Sequence, residues 1–400
     1  MTTTAASDRD EEPARHHIGS RLASARPDER AVAWADRLWS SVRAADEHSA
    51  LDVVGNARAA GLDAETVLLE VIGAVQHRVG AEWAANRMSV VEEHAATAIN
   101  DRVIAALSAD RPATFLGRVT VACVDKEWHA LPARLLAETL RLRGWQVGYL
   151  GAQVPTAHLV SHVHRTGADT VCLSAALSTR LPMAHAAITA VQAVGTPVMV
   201  GGLAFGADGR WARRLGADAW APEARAAADR LAAGPLPRPR APHQAIDDLP
   251  HLSDQEFTLV TRTSRTLVRE TLQGLEQRFP AMRGYDDDQR ERTAEDLAHI
   301  VEFLAAALYM DDEDLFTHFL TWTGEILTAR SVPARSLLPA LDLLAEQLRD
   351  FPAPAASSPP HARRSPDSHG PGACAARNGV NGALSARTRR SKGSAEGRTG

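Results

Sequence analysis

Short apolar runs alternate with amphipathic segments between residues 117 and 233, and this alternation restricts the fold more than any other feature of the chain. The apolar runs have the length of strands and lie at 119–124, 146–150, 170–174, 197–201 and 217–220. Segments with helical spacing follow them near 131–143, 156–166, 181–194, 207–215 and 223–233. Because strands joined by helices form parallel sheets, the pattern predicts an α/β unit with a five-stranded parallel sheet of Rossmann-like or flavodoxin-like type.

Helical patterns lie on both sides of the predicted sheet. Before it, the spacing favours a four-helix bundle with segments at about 28–46, 48–60, 63–85 and 89–109. Asp63 is positioned to cap the third segment, and Ser89 with Glu92 has the capping-box pattern for the fourth. After the sheet, residues 251–350 repeat apolar positions at helical intervals. The predicted fold class is therefore α/β plus all-α.

Changes in composition divide the chain into six predicted parts. These are a disordered start (1–27), the bundle (28–112), the sheet unit (117–233), a proline-rich linker (234–250), a helical unit (251–350) and a disordered basic tail (351–400). Within the helical unit, the acidic run 311–314 is expected to be a solvated helix start, because carboxylates offset the exposed amides there.

Charge and cysteine usage indicate the compartment. The net charge is −5, although the last fifty residues carry seven Arg and one Lys against two acidic residues. No apolar run approaches the length of about 18 residues that a membrane span needs, and the amino terminus has no apolar signal segment. The three cysteines have neither disulfide nor zinc spacing. These features predict a cytoplasmic protein without a membrane partner.

The tripeptide Glu127-Trp128-His129 directly follows the first predicted strand. It therefore lies in a strand-to-helix loop at the carboxyl edge of the sheet, where such folds bind their ligands. A carboxylate two residues before a histidine can hold one ring nitrogen while the other faces a metal ion. The pattern predicts a metal-ligating His129, although a lone histidine in such a loop is more often a structural or exposed residue.

Two further motifs end at the same edge, namely Ser174-Ala175-Ala176-Leu177 after the third strand and Gly201-Gly202 after the fourth. With the histidine loop they resemble the cobalamin-binding domain family over about residues 117–232. The family pattern is Asp/Glu-x-His-x-x-Gly, then Ser-x-Leu or a variant, then Gly-Gly.

This resemblance implies a role for each motif. His129 would be the lower axial ligand of cobalt, and Glu127 would steady its imidazole. The nucleotide tail of the cofactor would enter the sheet between Ser174, Leu177, Gly201 and Gly202. One position departs from the pattern: Pro132 stands where the family has glycine, a change that the first turn of a helix tolerates but that bears on how the tail is held.

The bundle carries a second match, because Trp83 is followed after nine residues by Glu93-His94. This spacing resembles the adenosylcobalamin-dependent light-sensing regulators, in which the tryptophan covers the upper face of the cofactor and the Glu-His pair lies nearby. Taken alone, Trp83 fits a bundle core and Glu93-His94 a solvated helix face. Ala84 stands where the best-known of these repressors carry a cobalt-capturing histidine. Their winged helix-turn-helix domain has no counterpart here, so direct DNA binding is not expected.

The resemblance favours a non-enzymatic sensor or regulator that binds cobalamin, with adenosylcobalamin preferred and methylcobalamin possible. The signal would be light or cobalamin supply, and the helical unit 251–350 would pass it on through a protein partner or self-association. One alternative is a corrinoid carrier protein for a methyltransferase system, which shares the bundle and the sheet. Another is an interaction domain that has lost its cofactor, which Pro132 keeps open.

Overall fold

The structure of the protein, a computed structural model, describes residues 29–107, 115–239 and 249–350. A helical bundle, a parallel sheet and a second helical unit follow one another along the chain, which confirms the predicted fold class. The predictions for residues 1–27, for the tail 351–400 and for most of the linker lie outside the described residues. Among the helices that are described, none combines the length and the apolar character that a membrane crossing requires.

The amino-terminal bundle contains four helical rods. Its helices are α1 (Glu29–Arg43), α2 (Glu47–Ala59), α3 (Ala64–Thr66), α4 (Gly73–Ala84) and α5 (Val90–Leu107). A π-helical segment, Val67–Ile72, joins α3 to α4 without a break, so these three elements form the third rod. The rods enclose an apolar core that includes Leu38, Val54, Leu68, Ile72 and Ile104.

Both predicted helix starts are confirmed. Asp63 Oδ1 accepts the backbone N–H of Thr66 at 2.9 Å. Glu92 Oε2 accepts the backbone N–H of Ser89 at 2.7 Å, and Ser89 Oγ accepts the backbone N–H of Glu92 at 3.3 Å. Because such contacts satisfy the free amides of a first turn, they determine where the third and fourth rods begin. Glu93 is thereby placed in the first turn of α5, close to that end of the bundle.

A parallel sheet of five strands occupies the centre of the molecule. Its elements are β1 (Arg118–Cys123), α6 (Leu131–Leu142), β2 (Gln146–Gly151), α7 (Thr156–Thr166), β3 (Thr170–Ser174), α8 (Leu181–Ala193), β4 (Val198–Gly201), α9 (Arg210–Arg214), β5 (Ala219–Ala221) and α10 (Ala224–Ala232). The strand order is β2-β1-β3-β4-β5, and all four pairs are parallel. Because β1, β3 and β4 are neighbours, the loops after them open side by side at one edge.

The bundle docks on one face of the sheet through α6. Val121 and Met199 of the sheet share an apolar cluster with Ala137 of this helix. On its other side, Leu131 of α6 belongs to the bundle core, and Leu135 packs against that core. The helix is therefore enclosed between sheet and bundle, and its first turn, which follows the histidine loop, is held from both sides.

The carboxy-terminal helical unit lies on the other side of the sheet. Its main helices are α11 (Glu256–Arg278), α12 (Asp287–Met310), α13 (Glu313–Ala329) and α14 (Leu338–Asp350). One continuous apolar cluster includes Leu173 and Val200 of the sheet together with Leu304 and Phe316 of this unit. The unit therefore shares a core with the sheet, a contact that no sequence pattern had indicated.

The acidic run 311–314 makes polar contacts to the sheet unit. The indole Nε1 of Trp211 donates to Asp312 Oδ2 at 2.8 Å, and Arg210 forms an ion pair with Asp314 at 3.4 Å. The expectation of a merely solvated helix start was wrong, because α9 supplies cations and an indole N–H to these carboxylates. The same run still acts as a cap, since Asp312 also accepts the backbone N–H of Asp314 at 3.1 Å.

Candidate functional site

The loop after β1 carries Glu127 and His129 at the carboxyl edge of the sheet. It begins with a tight turn in which the N–H of Glu127 donates to the carbonyl of Val124 at 3.1 Å. Lys126 in that turn has a φ of 63°, a left-handed conformation that reverses the chain direction. The turn points the Glu127 side chain back under the loop, where its side chain is 1% exposed, and leaves that of His129 55% exposed.

The Glu127 carboxylate connects this loop to the one after β3. Its Oε1 accepts the backbone N–H of His129 at 2.9 Å and lies 2.6 Å from the Nδ1 of the same histidine. Its Oε2 accepts the backbone N–H groups of Ala176 at 2.7 Å and Leu177 at 3.2 Å. One buried carboxylate thus satisfies donors from two loops, which fixes both loops relative to each other.

Hydrogen bonding keeps this carboxylate ionised. Burial by itself would raise the pKa of Glu127, but the hydrogen bonds from the ring and backbone of His129 and from Ala176 outweigh it and lower the pKa to about 2. The same pair acts on the imidazole, because the hydrogen bond to Glu127 raises the pKa of His129 above its usual 6.5. An ionised carboxylate only accepts hydrogen bonds, so Nδ1 of His129 must carry the proton.

The tautomer that follows is suited to metal binding. With the proton on Nδ1, the neutral ring has its lone pair on Nε2, which makes no hydrogen bond to any residue within the described ranges. A histidine whose second nitrogen is held by a carboxylate is a common arrangement for a metal ligand. The donor set therefore fits a single axial bond to a metal centre. It offers one imidazole nitrogen, on a ring that is partly open to solvent and that Glu127 holds in orientation.

Gly202 brings the loop after β4 against the loop after β3. It has a φ of 102°, and a Cβ at this position would lie 2.2 Å from the carbonyl oxygen of Ala175. Gly201 precedes it, and a Cβ there would lie 3.0 Å from the carbonyl oxygen of Ala221. The atoms nearest to an added Cβ at either position are backbone atoms of the protein itself. Gly202 is therefore needed for the two loops to meet as they do, whereas a side chain at Gly201 would only crowd the neighbouring strand β5.

Ser174 and Leu177 stand at the start of the same edge. Ser174 ends β3, has a buried side chain and accepts the backbone N–H of Val124 through its carbonyl oxygen at 3.1 Å. Leu177 contributes its backbone N–H to Glu127. The structure thus brings the histidine, serine and glycine motifs together, as the sequence predicted. Their roles toward a cofactor stay predictions.

The bundle faces this edge with Glu93. The negative charge of Glu93 contributes to raising the pKa of His129, so the two side chains lie within electrostatic reach. Glu93 Oε1 also accepts a hydrogen bond from the hydroxyl of Thr97 at 2.8 Å. His94 points outward instead: its side chain is 76% exposed, and its Nδ1 lies 3.8 Å from Glu93 Oε2. Glu93 therefore fits a site residue better than His94 does.

Trp83 lies in the last turn of α4. Its ring packs on the bundle core, and it also contacts Trp322 of α13, with ring centroids 6.4 Å apart. Large apolar side chains are exposed in the segments that surround the site. Val90 and Val91 begin α5, Trp128 lies in the loop after β1, and Leu203 lies in the loop after β4. Exposed apolar groups at a ligand-binding edge are typical of a site that a large organic ligand covers.

Several contributors to this edge were not predicted. The N–H of Ala176 had no signal beyond lying inside the serine motif. Arg180 follows the motif by three residues, and its positive charge acts against the rise in the pKa of His129 that Glu127 causes. The buried Nε of Arg180 has no hydrogen-bond partner among the described residues. Its position directly after the motif is the only sequence signal that could have indicated it. Trp322 comes from the far helical unit, and no local pattern connects it to the bundle.

Comparison with known proteins adds to this geometry. Residues 117–232 match the family model described as B12 binding domain, and residues 34–108 match a second model with the same description. A curated relative, the HTH-type transcriptional repressor CarA of Myxococcus xanthus, is 30% identical over 172 residues, which cover 42% of this chain. The chain spans only 57% of the length of that relative.

Two solved structures are similar at lower identity. One is the monomethylamine corrinoid protein of Methanosarcina barkeri, with 19% identity and a TM-score of 0.43, covering 50% of this chain and 97% of the other. The second is a cobalamin-binding protein from Desulfitobacterium hafniense DCB-2, with 21% identity and a TM-score of 0.29, covering 50% of this chain and 97% of the other. The two family models and the curated relative support cobalamin binding.

Proposed function

We propose that this chain, whose residues 34–108 and 117–232 match models of B12-binding domains, is a cobalamin-binding sensor. It acts without catalysing a reaction and prefers adenosylcobalamin over methylcobalamin. Its response to light or to cobalamin supply passes through the helical unit to a protein partner or to a second copy of the chain.

One observation carries the proposal: the buried, ionised Glu127 holds Nδ1 of His129 at 2.6 Å and leaves Nε2 open. A zinc or iron site would need several such ligands, whereas a corrin ring already provides four nitrogen ligands and needs the protein only for an axial position. Bound cobalamin would supply a cobalt centre with two axial positions and, in the adenosyl form, a weak cobalt–carbon bond that light breaks.

The remaining residues would hold the cofactor from two sides. On the sheet side, the resemblance gives the nucleotide tail to the loops that contain Ser174, Leu177 and Gly201-Gly202. On the bundle side, it gives the upper face to Trp83, with Glu93 nearby. His94 is the weakest of these assignments, because its side chain is largely solvated.

The packing of the helical unit favours a sensor over a corrinoid carrier. A methyl carrier must present the upper face of its cofactor to a partner enzyme. Here α13 already contacts Trp83 through Trp322, and α12 and α13 share a core with the sheet. An upper face that is covered by the chain itself suits a bound alkyl group that is retained until a signal removes it.

The test is reconstitution with adenosylcobalamin in the dark, followed by desalting and absorption spectra before and after illumination. We expect the parent to stay coloured and to change its spectrum on illumination. The variant His129→Ala should lose most of the colour on desalting, or keep it with the spectrum of a cofactor that lacks an imidazole ligand. His164→Ala is the matched control, because this exposed histidine lies in the last turn of α7, at the opposite end of the sheet.

Three results would contradict the proposal. Equal retention and identical spectra for the parent and His129→Ala would remove the axial ligand. A colourless parent would leave an interaction domain that has lost its cofactor. A protein whose spectrum with adenosylcobalamin does not change on illumination, but whose bound cofactor cycles between cob(I)alamin and methylcobalamin with a methyltransferase, would favour the carrier.

A further inference from the structure

A chain of aromatic rings connects the bundle to the interior of the helical unit. The rings of Trp83 and Trp322 have centroids 6.4 Å apart at an interplanar angle of 37°. The ring centroids of Trp322 and Phe319 are 6.4 Å apart. Phe319 stacks on Phe303 with ring centroids 3.8 Å apart and an interplanar angle of 9°. Phe319 is 7% exposed, so this chain of contacts runs from the end of the bundle into the core that the helical unit shares with the sheet.

A cation lies on the same indole. The guanidinium carbon of Arg330, directly after α13, lies 5.6 Å from the ring centroid of Trp83. Trp83 is thus contacted by two side chains of one helical unit and by the apolar core of its own bundle. Offset or tilted aromatic pairs and cations over an indole face both prefer particular geometries, so these contacts restrict the ring to a few orientations.

The helical unit also touches the opposite wall of the site. Helix α12 packs against the 3-10 turn Ser178–Arg180, which directly follows the loop whose amides bind Glu127. The Oη of Tyr309, near the end of α12, lies 2.8 Å from Nδ1 of the fully buried His185 on α8. The packed helices α12 and α13 therefore contact the sheet through the segment after β3 and the bundle through Trp83.

We propose that Trp322 and Arg330 are positioning residues, which hold the Trp83 indole in place and so allow the helical unit to select the upper axial group and to respond to its loss. The inference rests on the proposed function and extends it to residues outside both B12-binding regions. Trp83 is the group that contacts the ligand, and Trp322 and Arg330 act through it.

The physical reason lies in the size of the upper group. A large alkyl group is bound by contact with an indole held in one orientation, whereas a hydroxo or aquo group is too small to use that contact. Releasing the indole should therefore weaken binding of adenosylcobalamin and leave binding of hydroxocobalamin unchanged. The energy of one aromatic contact corresponds to a loss of about threefold to tenfold.

The experiment measures the dissociation constants of both cobalamins, in the dark, for the full chain. We expect Trp322→Ala to lower the preference for adenosylcobalamin by about threefold to tenfold. Arg330→Ala should have a smaller effect in the same direction, and Trp322→Phe should restore part of the preference. Phe279→Ala is the matched control, because this exposed aromatic ring belongs to the same helical unit and should leave the preference unchanged.

Two further measurements separate positioning from a general loss of structure. In the double variant Trp83→Ala with Trp322→Ala, the preference should equal that of Trp83→Ala alone, because Trp322 acts only through the first indole. Hydrogen exchange of residues 313–329 should change on illumination in the parent and remain unchanged in Trp83→Ala. Circular dichroism of each variant checks that the fold is retained.

The outcomes distinguish this inference from the function on which it rests. A parent that retains no cobalamin overturns both. A parent that binds and responds to light, together with an unchanged preference in Trp322→Ala and Trp322→Phe, overturns the positioning role and leaves the sensor intact. Additive effects of the two tryptophan substitutions would also overturn it.

Discussion

The geometry of the candidate site depends most on the buried carboxylate of Glu127. One oxygen accepts the backbone N–H and the ring Nδ1–H of His129, and the other accepts the amides of Ala176 and Leu177. Four donors converge on one anion, so no neutral side chain of the same shape can satisfy all of them. The residue therefore has two functions: it orients the imidazole, and it joins the loops after β1 and β3.

These two functions lead to a prediction for Glu127→Gln. The amide group of glutamine would face at least one N–H that needs an acceptor, so the cofactor-free protein should lose about 1–3 kcal/mol of unfolding free energy. Loss of the supporting carboxylate should weaken cobalamin binding by about tenfold to hundredfold. Urea unfolding and equilibrium titration check the two effects. Asp125→Asn, in the same loop, should change neither, and a similar loss in that variant would refute the explanation.

Gly202 permits a backbone contact that no other residue allows. Gly202→Ala would place Cβ against the carbonyl of Ala175 as well as forcing a φ of 102°. We expect the free energy of unfolding, measured by thermal or urea unfolding, to fall by at least about 3 kcal/mol. Gly195→Ala isolates the backbone term, because this glycine has a φ of 81° and nothing lies within 4 Å of the added Cβ. The free energy of unfolding of this control should fall by only about 1–2 kcal/mol. Equal losses in Gly202→Ala and Gly195→Ala would contradict a clash between Cβ and the Ala175 carbonyl.

At the scale of elements, ionic contacts add to the apolar contact of α6 in joining the bundle to the sheet. Arg143, directly after α6, binds Glu65 of α3 through two hydrogen bonds of 2.8 and 2.7 Å. Arg225 of α10 binds the same carboxylate at 3.1 Å and Glu70 at 2.9 Å. Because Glu70 lies in the π-helical segment, two elements of the sheet unit hold the third rod of the bundle. The position of the bundle relative to the sheet, and hence the width of the site, depends on these contacts.

The Glu65 contacts predict a pH dependence. Hydrogen bonds from Arg143 keep the pKa of Glu65 below its usual 4.5. A lowered carboxyl pKa stabilises the fold above the unfolded value, and this contribution is lost as the pH falls below about 4.5. We expect Glu65→Gln to cost about 1–2 kcal/mol at pH 7, and the difference from the parent should shrink toward pH 3. Urea unfolding at several pH values checks this.

The control for this pH dependence is Glu291→Gln, an exposed carboxylate on α12. This substitution should leave the free energy of unfolding nearly unchanged at every pH. A difference between the parent and Glu65→Gln that stays constant from pH 7 to pH 3 would mean that the carboxylate charge does not contribute to docking.

At the scale of the whole molecule, the bundle core and the core of the carboxy-terminal helical unit have different extents. The bundle core is separate, apart from its contact with α6. The second core runs through one side of the sheet, α8 and the helical unit. A substitution that disrupts packing in the helical unit should therefore also destabilise the strands that carry the site loops. A substitution that disrupts packing in the bundle should first destabilise the bundle helices.

A matched pair of Leu→Ala substitutions tests this division. Leu304 on α12 is 1% exposed and Leu38 on α1 is 0% exposed, so each substitution should cost about 2–5 kcal/mol. Hydrogen exchange should show that Leu304→Ala reduces protection in β3 and β4 as well as in α12. Leu38→Ala should reduce it in α1, α4 and α5 first. Loss of protection confined to the helical unit in Leu304→Ala would show that sheet and unit unfold independently.

The sequence was a good guide to most features that depend on neighbouring residues. Strands are recognisable because buried runs such as β1 and β3 consist mainly of apolar residues. Capped helices are recognisable because Asp63 and Ser89 bond amides within one turn. Order along the chain and the parallel sheet then followed, since strands joined by helices have few alternatives. The π-helical segment Val67–Ile72 escaped prediction, because its residues have ordinary helical spacing.

For the candidate site, the sequence alone was enough to identify the histidine, serine and glycine motifs and the Trp83 spacing, because each is a local pattern. It also predicted that the three motifs share one edge of the sheet. Only the tertiary structure decided that Glu127 also binds the amides of a second loop, that Gly202 avoids the protein's own backbone, and that Trp322 and Arg330 meet Trp83 from more than two hundred residues away. Contacts between distant segments depend on how whole elements pack, and packing is a property of the assembled surfaces, which no short stretch of sequence contains.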